Sequence, residues 1–126
     1  MKLERISMSI LQKSLDAVWL RQRVISNNIA NIDTPGYKSG SVRFEDILSK
    51  RINGNYKNMQ SLKKALDKTK PRVVVNEDTF VREDGNNVVI DKEQIELARA
   101  QLQYDYLISS LVSQLDRLKY AINGGR

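Results

Sequence analysis

The sequence predicts a mainly α-helical protein. Long N- and C-terminal helices pack antiparallel as a coiled-coil-like stem, with a short helix and a small β-hairpin or extended segment between them. Three observations carry this. Near one end Leu11, Leu15, Val18, Gln22, Ile25, Ile29 and Ile32 follow each other at steps of 4, 3, 4, 3, 4 and 3. Near the other, Leu97, Gln101, Tyr104, Ile108, Leu111, Leu115, Leu118 and Ile122 repeat those steps. Each is a heptad seam with one glutamine in it, and two seams of similar length on one chain suggest a mutual contact. Third, the segment between them is poor in apolar residues and punctuated by Pro35-Gly36, Asn53-Gly54 and Asp84-Gly85.

The chain divides into an N-terminal helix with its exit turn over 1–39, an irregular basic middle over 40–90, and a C-terminal helix over 91–126, forming one structural unit. The first helix ends in Asn27-Asn28-Ile29-Ala30-Asn31-Ile32-Asp33-Thr34-Pro35-Gly36-Tyr37-Lys38. Asparagine is a poor helix former, so three of them within five residues do nothing for a bare helix. Their amides suit tying a helix end to another backbone. Pro35 pushes Thr34 out of the α region. Pro35-Gly36 fits the centre of a type II turn, with Gly36 at φ > 0.

After the turn, Phe44, Ile47, Leu48 and Ile52 fall at helical spacing, with Ser41 as the expected N-cap and Asn53-Gly54 as the stop. Residues 55–71 are rich in Lys and Asn with sparse anchors at Met59, Leu62 and Leu66, and read as a solvated loop. Arg72–Val75, Thr79–Arg82 and Asn87–Ile90 read as short strands, the last two joined by a turn over Glu83–Asn86. The C-terminal helix is expected to start at Asp91 as N-cap, with Gln94 completing a capping box, and to stop at Asn123-Gly124-Gly125. From Asp91 to Ile122 it would span roughly 48 Å, a fibre subunit's length more than a small globule's. Met8, Trp19, Leu20, Leu102, Tyr106, Leu107 and Val112 lie off the seams. One partner helix cannot cover both stripes, and leftover apolar area marks an interface.

Composition excludes much. The 126 residues contain no Cys and no His, so disulfides, thiolate chemistry, Ser-His-Asp catalysis and His-ligated metals are ruled out. No carboxylate is paired with a base or a glycine-rich phosphate loop, so no enzyme, cofactor or small-molecule substrate is expected. Apolar runs are too short for a membrane span, and no cleavable signal peptide is read near Lys2 and Arg5. Residues 50–72 carry eight basic groups against Asp67, a local net of +7 in a chain of net +6. That surplus supports an alternative, a basic helical nucleic-acid-binding or adaptor protein. Against it, only Tyr56 is aromatic within the run and no helix-turn-helix or finger pattern accompanies it.

The stretch from Asn27 to Lys38 resembles the signature of the bacterial flagellar rod and hook proteins. Asp33-Thr34-Pro35-Gly36-Tyr37, without an insertion, is most similar to the proximal rod branch. Asp84-Gly85-Asn86-Asn87-Val88, Asp91-Lys92-Glu93, Ala98, Gln101, Tyr104, Leu118 and Ala121-Ile122 resemble the C-terminal half of the same branch. The likeness covers roughly 5–39 and 84–123. It implies a structural subunit that self-assembles with other rod proteins into a helical tube transmitting torque. It implies further that the tube meets the membrane-ring and export-gate junction at its base. The subunit would leave unfolded through the flagellar type III export channel, to the periplasmic rod. By that resemblance the assembly signature is Asn27, Asn28, Ile29, Ala30, Asn31, Thr34, Pro35, Gly36 and Tyr37, with the two seams forming the wall. Ala30 would let a neighbouring helix approach, and Asn27 and Asn31, one turn apart, would hydrogen-bond to it. Asn28→Ala is expected to be milder than a charge on a seam.

Overall fold

A computed structural model describes residues 2–77 and 81–125. Helix α1 runs Lys2–Ala30, strand β1 Gly40–Arg43, helix α2 Glu45–Ile52, helix α3 Met59–Asp67, strand β2 Arg72–Val75 and helix α4 Ile90–Ile122. The fold class is the expected one.

The stem is antiparallel. Asn28 meets Glu93, Arg21 meets Gln103, and Ser7, Ile10 and Leu11 lie beside Ser110, Ser113 and Gln114. Its core is Val18, Ile25 and Ala100, with Ile29, Leu97 and Leu107 packed around it. Apolar burial stabilises by about 25 cal/mol per Å², so this narrow core leaves much of the work to the middle segment. That segment packs on one flank of α1. Val42 and Phe44 are buried there, and α3 buries Leu66. Ser9 donates to the Asp67 carboxylate at 3.1 Å and Lys13 to the Asp67 carbonyl at 2.9 Å.

Several expectations are corrected. Residues 59–67 are helical, not a loop. Asn58 caps them by accepting from the Ser61 N–H at 2.9 Å, and Met59, Leu62 and Leu66 make one apolar stripe. Ser41 does not cap α2. It lies in β1, which pairs antiparallel with β2, Gly40 opposite Val75 and Arg43 opposite Arg72. The long-range ribbon replaces the local hairpin. Val81–Arg82 and Asn87–Val89 are not strands, and Asp78–Phe80 lie outside the described residues. The expected turn survives, with Gly85 N–H bonded to Arg82 O and Arg82 N–H to Asn86 O, both at 2.9 Å. Helix α4 starts at Ile90 after Val89, with no side-chain cap. Asn86 holds the Val88 N–H at 2.8 Å, and the helix enters two residues earlier than an Asp91 cap allows. Asp91 and Glu93 still sit in the first turn, where the dipole favours acids.

The seams are placed unequally. On α1, Val18 and Ile25 are buried, and Leu11, Leu15, Gln22 and Ile29 half-buried; Ile32 lies just past the helix. On α4 the contact stripe is rotated. Ala100 and Leu107 face α1, and Leu97, Ile108, Leu111 and Leu118 are half-buried beside them. Gln101 is exposed, as are Tyr104 (37%), Leu115 (50%) and Ile122 (83%). The small Ala100 and Ser110 allow close approach, which leaves the larger side chains on the flank.

Candidate functional site

The end of α1 and the segment before α4 form one polar junction. Asn28, on the inner face of α1, has no exposed surface. Its Nδ2 donates to the Gly40 carbonyl at 2.8 Å and to Glu93 Oε2 at 3.0 Å. Its Oδ1 accepts from the Gly40 N–H at 2.9 Å and from the Tyr37 hydroxyl at 3.2 Å. One side chain therefore joins α1, β1, the exit turn and α4. Glu93 is itself buried, at 6% exposure.

Two further buried amides close the junction from the other side. Asn86 Nδ2 donates to the carbonyls of Asn31, Ile32 and Thr34 at 2.8–3.0 Å. These carbonyls lie in the exit turn just past the end of α1, so one amide staples that turn in place. Arg82 adds a bond to the Ile32 carbonyl. Asn87 accepts from Ser39 N–H at 2.6 Å and donates to Asn76 O at 2.5 Å. The Gly36 N–H bonds to Asp84 O at 2.8 Å, and Lys38 Nζ to Gly85 O at 2.6 Å. Gly36 has φ +74°, as the type II turn requires, and the Tyr37 N–H to Thr34 O bond closes that turn at 3.3 Å. Gly85, at φ +84°, comes so close that an added Cβ would lie 3.3 Å from the Gly36 Cα.

The signature residues thus split. Asn28 is fully committed within the chain. Asn31 donates to Asn27 O at 2.7 Å and accepts from Thr34 Oγ1 at 3.0 Å within the chain. Ile29 and Tyr37 are half-buried, whereas Asn27, Ala30, Thr34, Pro35 and Gly36 are exposed. The exposed members form a ledge at the end of the stem.

Arg21 is a second node that the residue pattern did not reveal. It forks onto Glu45 at 2.9 and 2.8 Å, and also donates to Gln103 Oε1 at 3.1 Å and the Val42 carbonyl at 3.2 Å. Partial burial pushes the Glu45 carboxyl up, but Arg21 and main-chain hydrogen bonds outweigh it and hold the group below its ordinary value. Hydrogen bonds from Lys63 and Ser9 lower Asp67 likewise. A carboxylate lowered in the folded state stabilises fully above its unfolded pKa and loses that contribution as pH falls through the folded one. Glu45→Gln should therefore cost about 1 kcal/mol or less at pH 6, because the carboxylate is largely exposed. The difference from the parent should begin to shrink near the ordinary value of 4.5 and vanish once the pH is below the lowered folded-state value. Urea unfolding of both proteins from pH 6 to pH 3 measures it; a gap that widens on acidification contradicts it.

Comparison with known proteins adds the last observation. The family described as "Flagella basal body rod protein" matches residues 15–38, the segment that runs from the stem core into the exit turn. The chain is 34% identical over 119 residues to the flagellar basal body rod protein FlgB of Bacillus subtilis, covering 92% of each. It is 38% identical over 117 residues to that of Borrelia hermsii, covering 82% of this chain and 86% of the relative. Against that of Escherichia coli the figure is 27% over 125 residues, covering 90% and 91%.

Proposed function

Since this chain belongs to the FlgB family of flagellar basal body rod proteins, we propose that it is a wall-forming rod subunit whose α1–α4 stem is both its core and its contact surface. The family is a structural one, not an enzyme class, and places the chain in the flagellar basal body, assembling with other rod proteins. The comparisons do not support the nucleic-acid alternative. No helix among the described residues is long and apolar enough to cross a membrane.

The observation that carries the mechanism is the apolar area left exposed around the stem. Trp19 (56% exposed), Leu102 (71%), Tyr106 (73%) and Leu115 (50%) leave much apolar area open to solvent. Such area on a monomer marks a contact with another protein. Head-to-tail contacts that do not close on themselves build an open helical tube, which can carry torque. The ledge of Asn27, Ala30, Thr34, Pro35 and Gly36 offers a further exposed surface at the end of the stem. The base of such a tube would meet the membrane-ring and export-gate junction. The subunit would arrive in the periplasm through the flagellar export channel as an unfolded chain.

Leu115→Asp tests the wall. Leu115 is half exposed, so the free subunit should lose no more than about 0.5–1 kcal/mol. Secretion of the subunit should be near normal, with no rod completed and no motility. Measuring secreted protein, melting temperature and swimming together gives the answer. A swimming Leu115→Asp strain would mean that this surface does not hold the assembly.

A further inference from the structure

The two-stranded ribbon has one closed edge and one open one. On β1, Asn28 occupies both main-chain groups of Gly40, and Arg21 donates to the Val42 carbonyl. Main-chain groups alternate in direction along a strand, so Gly40 and Val42 point away from β2 while Ser41 and Arg43 point toward it. The register sets Gly40 against Val75 and Val42 against Val73. On β2, therefore, Arg72 and Val74 bond to β1, and Val73 and Val75 turn their N–H and C=O groups outward. Among the described residues no loop or side-chain hydrogen bond reaches these groups. Their side chains are bare as well, Val73 at 49% and Val75 at 55% exposure. Consecutive valines prefer the extended state, and no charge or bulge interrupts Val73–Val75 to blunt the edge.

We infer that the open edge of β2 receives β2 of a second copy of this chain, antiparallel, joining two ribbons into a four-stranded sheet. The strand is complementary to itself. About a two-fold axis at Val74, Val73 lies opposite Val75 of the second copy, and each brings outward-pointing groups, so two hydrogen-bonded pairs flank the axis. Arg72 lies opposite Asn76 of the second copy, so no like charges meet. A slip of one residue would set outward groups against inward ones. The contact is independent of the rod reading, since it uses neither the stem nor the exit turn.

The chain has no cysteine, so a single introduced thiol reports the pairing. Across the axis the two Val74 Cα atoms form a non-hydrogen-bonded pair about 4.5 Å apart, within the roughly 4.4–6.8 Å that a disulfide spans. Under mild oxidant, Val74→Cys should dimerise at least about tenfold faster than Lys57→Cys, which places the thiol on an exposed loop, because pairing raises the effective concentration. Adding Val75→Pro should abolish the advantage, since it deletes an outward N–H that the ribbon itself does not use. In the unmodified protein, amide exchange at Val73 and Val75 should slow as concentration rises, while Val74 stays unchanged. Equal cross-linking rates in folded variants would overturn the proposal. Should Val74→Cys fail to fold, exchange at Val73 and Val75 that ignores concentration would overturn it as well.

Discussion

Asn28→Ala should lower stability by about 3–5 kcal/mol, a fall in melting temperature of roughly 10–20 °C. The residue pattern suggests a mild effect, because no charge is introduced. The junction reverses that. Removing the amide leaves the Gly40 N–H and C=O and the Tyr37 hydroxyl short of partners. It also strands the carboxylate of Glu93, already only 6% exposed. A buried polar group left alone costs its full desolvation, whereas deleting both partners costs much less. Glu93→Gln in the Asn28→Ala background should therefore recover part of the loss. Thermal melts of the two single variants and the double variant give the coupling directly. If Asn28→Ala melts within 3 °C of the parent, the amide is not the tie described above.

Ile25→Asp should be as damaging or worse. Ile25 is 5% exposed and packs with Val18, Ala100, Ile29, Leu97 and Leu107. The change removes a core side chain, at about 2–5 kcal/mol by analogy with truncation to Ala, and adds an unpaired charge. The free subunit should lose its cooperative melt and much of its helical circular dichroism. An export channel that carries unfolded chains would pass it, and no rod would form. Leu115→Asp would end in the same phenotype from a folded subunit. The pair therefore separates loss of the stem from loss of its outer contact, and circular dichroism of the purified subunits distinguishes them. A cooperative melt for Ile25→Asp near the parent temperature would show that the seam is not the core.

What could be read from the residues, and what could not, follows from the range of each interaction. The long helices and the Pro35-Gly36 turn depend on neighbours within a few positions, and the positive φ of Gly36 was legible from its place in the turn. Helix α3 had its own local signals, the Asn58 cap and the Met59, Leu62, Leu66 stripe, but the lysines around them outweighed these. Strand β1 was not legible, because Gly-Ser-Val-Arg has no pattern until Asn28 and β2 hold it. The rotation of α4 escaped for another reason. Its apolar stripe is broader than one partner covers, and periodicity cannot say which half faces α1. Asn86 and Asn87 stood out by resemblance alone. Their bonds to residues 31, 32, 34 and 39 cross more than 45 positions, and only the folded chain joins them.

The antiparallel stem also fixes an order in time. Val18 and Ile25 find cover in Ala100, Leu97 and Leu107, so the first helix waits for nearly the whole chain. At about 5–20 residues per second, synthesis of the intervening 75 or so residues takes roughly 4–15 s. Throughout that interval the inner face of α1 lacks α4 and has only the middle segment against its flank, and isolated helices owe little stability to propensity alone. The C-terminal helix therefore decides when the core of the stem closes.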